Sequence, residues 1–327
     1  MGWFSQWFGA RRREAVLDHR QLDRGVALVV EHTDPRLRFL PGHEKRLREP
    51  LQHAMAYLGT LVTQVPGPFA MSRKQWGADP QVNALFGTAD DLLDLFGRSA
   101  QVQAFWRRHP SVELLHCSIG MYRQEKRVLG MALKEELVRR EVAQVAVNFS
   151  GHWIGVVAGN EEATREALRW RGLESLCISA LERIVALRLG DRELLEERLD
   201  QVLEAGCGLD PCRVPGDREV VRRRLTENAR RLRDHRIPGG TLEDYLALLV
   251  EVLERPEEHL RLTLRRTRVD RMGIKVEEGD GGAEVVTACI ERPRQPPFDV
   301  ILASFPRSEM RDADYYRKRA RRYVDAL

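Results

Sequence analysis

The sequence predicts an α+β protein: an N-terminal helical region followed by two antiparallel sheets, each packed with helices. Three observations carry this. Leu47, Leu51, Met55, Leu58, Val62 and Val65 recur at three- and four-residue steps, the spacing of one helix face. From Ser111 the period drops to two, with Leu115, Cys117, Ile119 and Met121 alternating with His116, Ser118 and Gly120. Beyond residue 260 three more strand-like runs are separated by turn residues.

The elements follow in order. A helix is expected over about Glu14–Glu31, ending before Asp34-Pro35. The chain restarts at Pro41-Gly42 as the helix just described, which Pro66-Gly67-Pro68 stops. Short helices follow at Pro80–Phe86, after Thr88 (with Asp91 three residues on as its cap), and at Ala100–Arg108. Residues 40–109 thus read as a small helical bundle. Ser111–Tyr122 and Val128–Leu133 read as one hairpin across a polar turn at Arg123–Lys126. The run through Val145, Val147 and Phe149, with the return Trp153–Val157, reads as a second hairpin turning at Ser150-Gly151. Asn160 caps a long helix to about Leu189; Gly190-Asp191 breaks it, and a further helix runs to about Ala205.

Gly206–Gly216 holds three Gly and two Pro, which places a domain boundary there, between 1–206 and 207–327. The second domain opens with a basic helix, Asp217–Arg233, and continues with a helix capped by Thr241 and Asp244. Strands are expected at Leu260–Val276 (bent or broken near Gly273), Glu284–Ile290 and Val300–Phe305, with a hairpin loop at Glu278–Gly282. A last helix covers Asp312–Asp325.

Composition bounds the function. In 327 residues, 43% are hydrophobic and 31% charged, so the chain can build a core without disulfides or metals. The net charge is +4, from 53 basic and 49 acidic residues; only six of the basic ones are Lys. That balance argues against a dedicated nucleic-acid coat, although Arg suits bidentate anion binding. Five irregularly spaced cysteines read as reduced thiols of a bacterial cytoplasmic protein. No run approaches the length of a membrane span, and the charges follow the apolar residues at the start, the reverse of a signal peptide.

The chain carries no GxGxxG, no GxxxxGK[ST], no HExxH and no GxSxG. No cofactor, metal site or catalytic residue is therefore assigned, and the enzyme reading rests on no signature. Cys207 and Cys212 are the one close thiol pair, and His235 nearby completes no zinc set. His116 and Cys117 are adjacent in a strand, so their side chains leave opposite faces and form no dyad.

Four regions remain as candidates. Trp3, Phe4, Trp7 and Phe8 share one helical arc, with Arg11, Arg12 and Arg13 behind them, a pattern suited to an anionic membrane surface, a partner's groove or the protein's own core. Arg222, Arg223, Arg230 and Arg233, and Arg317, Arg319 and Arg322 among tyrosines, offer cations and rings for phosphates and bases. His152 and Trp153 beside Ser150-Gly151, and Asp270 with Arg271, are the pocket candidates. The leading expectation is a non-enzymatic interaction or regulatory protein with a protein partner, docking peripherally on the inner membrane through its aromatic-basic start. The alternatives are a nucleic-acid binder using 217–236 and 312–325, and an enzyme of an unrecognised type.

Overall fold

The computed structural model describes residues 18–134, 137–207, 241–277, 281–311 and 315, and side chains other than those of 131–141 and 188–207. The architecture is α+β, with N-terminal helices and an antiparallel sheet covered by helices. The chain groups into two units that interleave along the sequence: Met1–Ala56 with Leu173–Pro256, and Tyr57–Gly172 with Glu257–Leu327. Neither coincides with the stretches before and after the 206–216 segment.

Unit 1 is helical. Its described elements are α1 (His19–Thr33), a 3-10 turn (Pro35–Phe39), the first part of α2 (His43–Gln64), the part of α7 (Glu161–Cys207) beyond residue 172, and α8 (Leu242–Glu254). Asp18 starts α1 with a capping box closed by Gln21, and Thr241 with Asp244 does the same for α8. Leu47, Leu51 and Met55 of α2 are fully buried, as are Val29 of α1, Leu176 of α7 and Leu249 of α8. The stripe read from the sequence is therefore covered by this chain. Ion pairs Arg46–Glu243 (2.6 Å) and Arg183–Glu251 (2.9 Å) tie α8 to its neighbours.

The expected break at Gly190-Asp191 is absent: α7 runs on to Cys207. A single interior glycine costs a helix only about 1 kcal/mol, which its long flanking turns absorb. The expected basic helix 217–233, and all of the expected final helix 312–325 except the helical residue 315, lie outside the described residues.

Unit 2 holds the sheet, ordered β3-β2-β6-β5-β4, with the short β1 (Phe69–Ala70) parallel to β6. The strands are β2 (Leu114–Lys134), β3 (Leu137–Ala158), β4 (Arg261–Val269), β5 (Ala283–Arg292) and β6 (Gln295–Pro306). Two sheets were expected and one forms, because β2 pairs β6 from Leu114↔Pro306 to Met121↔Asp299. Two hairpins were expected in 111–157 and one long hairpin forms. Arg123–Lys126 contains no Gly, Pro or Asn to turn the chain and pairs straight through with 146–149. Gly151, at φ +61, makes a bulge in β3 instead of a turn.

The sheet also meets its own far edge. After β4, Asp270–Gly273 turns the chain, and Val276 N donates to Arg268 O (3.0 Å). On the other side Val147 N donates to Gly273 O and Lys275 N to Val145 O, both at 2.8 Å. Residues 273–276 thus bridge β4 to β3 and make the strand order a ring.

One sheet face packs α4 (Pro80–Leu85), which follows the short α3 (Arg73–Ala78), together with α5 (Ala89–Arg98) and α6 (Ala100–Arg108). Val82, Phe96 and Val102 meet Cys117, Ile119, Ile301 and Phe305 there, and Phe96 stacks flat on Phe305 at 3.9 Å. These helices lie on the sheet and do not form the expected separate bundle with α2. The opposite face carries a smaller cluster of Ala288, Val300 and Leu302 beneath Val65 and Leu168.

Candidate functional site

β3 presents His152 and Trp153 to opposite faces of the sheet, as alternation requires. His152 points toward the helices. Its Nε2 donates to the carbonyl of Leu85 at 2.8 Å, and its ring stacks on Phe86 at 4.6 Å. Burial pushes its pKa below the ordinary histidine value, against the opposing pull of the Leu85 carbonyl and Asp91. The ring is thus held neutral and committed to a backbone bond, which is a positioning role in the fold.

Trp153 lies on the other face, opposite Gly120 of β2. A Cβ at Gly120 would overlap the indole, so only glycine leaves the space. Tyr122, two residues along, packs on Trp153 at 5.4 Å between ring centroids, and Phe298 of β6 packs on it from the other side at 5.3 Å. Phe298 is two residues from Val300, the partner of Gly120, so all three rings share one face. The Arg292 guanidinium sits over Phe298 at 5.5 Å. Tyr122 is 42% exposed; Trp153 and Phe298 are half-buried.

A solvent-open groove of about 460 Å³ runs beside this strand, lined by Asp91, Asp94, Leu95 and Arg98 of α5 with His152 and Trp153. Its carboxylates are engaged. Asp94 binds Arg311 Nη1 at 2.5 Å and Arg98 at 3.3 Å, and Asp91 accepts from the Thr88 hydroxyl at 2.7 Å. Next to them Asp90 pairs with Arg311 and Arg73, whose hydrogen bonds hold its carboxyl below the usual range. This network fastens Arg311 to α5.

The structure does not add Asp270 and Arg271 to the lining of that groove. Asp270 Oδ1 accepts from the backbone N–H of Met272 and of Ile274, both at 2.8 Å, and so shapes the turn that docks on β3. Arg271 is exposed on the same turn. Trp3, Phe4, Trp7, Phe8, Arg11, Arg12, Arg13, Arg222, Arg223, Arg230, Arg233, Arg317, Arg319 and Arg322 all lie outside the described residues.

Cys117, Cys177 and Cys289 are buried thiols. Burial raises all three, Cys177 to about 12 and Cys289 to about 11, so they are held protonated. Cys117 faces the core while His116 faces the other way, its Nδ1 buried without a hydrogen-bond partner among the described residues. Among those residues no three His, Cys, Asp or Glu side chains are grouped to hold a metal ion, and no helix is long and apolar enough to cross a membrane.

Sequence reasoning singled out Trp153 but missed Tyr122, Phe298 and Arg292. They come from three different strands, and only the pairing register brings them together. No protein-family model, no curated protein and no solved structure matches this chain.

Proposed function

We propose that this chain is a non-enzymatic interaction protein of the bacterial cytoplasm, whose protein partner docks on the open edge of β2. The observation that supports it is the course of that strand. β2 leaves β6 after Met121 and continues with β3 alone, so along 122–130 no strand among the described residues pairs with its outer edge. An unpaired edge offers a row of backbone donors and acceptors to an incoming strand. Leu129, 73% exposed on this stretch, supplies an apolar contact.

A photo-crosslinking residue in place of Leu129 tests this in cells. The expected result is a discrete adduct absent when the same residue replaces the exposed Gln52. Identical patterns from both positions would overturn the proposal.

The aromatic-basic start supports a second element of the reading, peripheral docking on anionic lipid through Trp3, Phe4, Trp7 and Phe8. Co-sedimentation with liposomes, comparing the full chain with one lacking residues 1–13, tests it. Pelleting of the full chain alone, on anionic vesicles, is expected; equal behaviour of both chains would remove this element.

A further inference from the structure

We propose that the row Tyr122–Trp153–Phe298, ending at Arg292, is a stacking surface for single-stranded nucleic acid. This uses the face of the sheet and is independent of the partner proposed for the β2 edge.

The rings are contiguous, at 5.4 and 5.3 Å, and come from three adjacent strands, so the row crosses the sheet instead of following one strand. They continue the apolar cluster of Val300 and Leu302, but where that cluster is covered by Val65 and Leu168, the row keeps part of its surface in solvent. Buried aromatics would do as well for packing alone. The rings are tilted 50° and 56° to one another, and the surface they leave in solvent, that of Tyr122 above all, can take unstacked bases, which only a single strand provides.

The strand positions around the row fit a polyanion, and the carboxylates of the groove that Trp153 also lines, Asp91 and Asp94, are held by Thr88 and by Arg98 and Arg311. The positions of β2 and β3 that share its face run Gln124, Lys126, Val128 and Ser150, Asn148, Ala146, a set with one cation and no carboxylate. Glu125, the acid of this stretch, falls on the opposite face, where Arg123 pairs with it at 2.5 Å. At the other end of the row stand Arg292 and Arg294, the latter exposed on the β5–β6 turn at φ +60. Cations at both ends with neutral polar groups between them match a phosphate backbone laid across stacked bases.

The test is fluorescence anisotropy of labelled oligouridine and oligothymidine with the full chain, in wild type and in Trp153→Leu, Tyr122→Leu and Phe298→Leu. Leucine keeps the sheet covered while removing the π-face, and thermal melting checks that each variant folds. The expected result is single-strand binding that weakens as salt rises and falls about tenfold with each ring lost. If Trp153→Leu fails to fold, the exposed Tyr122→Leu carries the comparison. Three results would overturn the proposal: no binding at low salt, equal affinity for a duplex of the same length, or binding that all folded leucine variants retain.

Discussion

The side-chain amide of Gln81 makes both hydrogen bonds to Val286 that a neighbouring strand would make. Its Nε2 donates to Val286 O at 3.0 Å, and Val286 N donates to its Oε1 at 2.7 Å. β6 has left β5 by this point, since their pairing covers only Ala288–Arg292 on β5. A helix residue thus completes a strand edge. Gln81→Leu leaves a part-buried donor and acceptor without their partner and should cost about 1 kcal/mol in chemical denaturation, with an unchanged denaturant slope. A loss under a few tenths would mean that water serves Val286 equally well.

Phe96 and Phe305 stack face to face in the middle of the helix-covered side, both fully buried. Phe96→Ala removes a ring from the core cluster between the sheet and its helices, where collapse is restricted. Stability should drop by about 3–5 kcal/mol, against less than about 1.5 kcal/mol for Phe96→Leu with repacking.

His152 makes stability depend on pH. Its folded pKa lies below the ordinary value of 6.5, so on acidification the unfolded chain takes the proton first. Its contribution is complete above about pH 6.5 and shrinks as pH falls toward the depressed folded value. Wild type should therefore lose melting temperature between pH 7 and 5 more steeply than His152→Gln, by roughly a few degrees. Parallel curves for the two proteins would show that the ring is not shielded as its contacts imply.

The Asp270 carboxylate holds the turn that joins β4 to β3. Asp270→Ala should loosen the bridge without unfolding the sheet, because the remaining strands keep their ladders. Hydrogen exchange reads this directly. The amides of Val147 and Lys275, which donate across the bridge, should exchange about tenfold or more faster, while Ile301 in the sheet centre stays protected.

Much of this fold is legible in the residues themselves. Caps at Thr88 and Thr241, the apolar stripe of α2 and the alternation of Leu115, Cys117, Ile119 and Met121 in β2 all depend on neighbours within a few positions. What the sequence misleads on is long-range. Ser150-Gly151 has the composition of a turn, yet a glycine at positive φ serves a bulge equally well, and which one forms is decided by what lies opposite. The joining of β2 to β6 sets residues nearly two hundred positions apart side by side, and alternation gives a strand its two faces without naming its neighbour. The aromatic row was hidden for the same reason: Trp153 stands out as a residue, but Tyr122 and Phe298 acquire meaning only through register.

The interleaving of the two units has a consequence for how the chain is made. Unit 1 needs Leu249 and Val252 of α8 for its core, and unit 2 needs Phe305 of β6. A ribosome must therefore pass residue 249 before unit 1 can close and residue 305 before unit 2 can. Tandem domains fold one behind the other as they emerge. Here α1, α2 and the long hairpin emerge first and wait, with apolar faces open, for partners that follow more than a hundred residues later in the chain. Truncation products of this chain should accordingly be prime clients for chaperones, and a stop codon anywhere before the codon for Phe305 leaves no finished sheet.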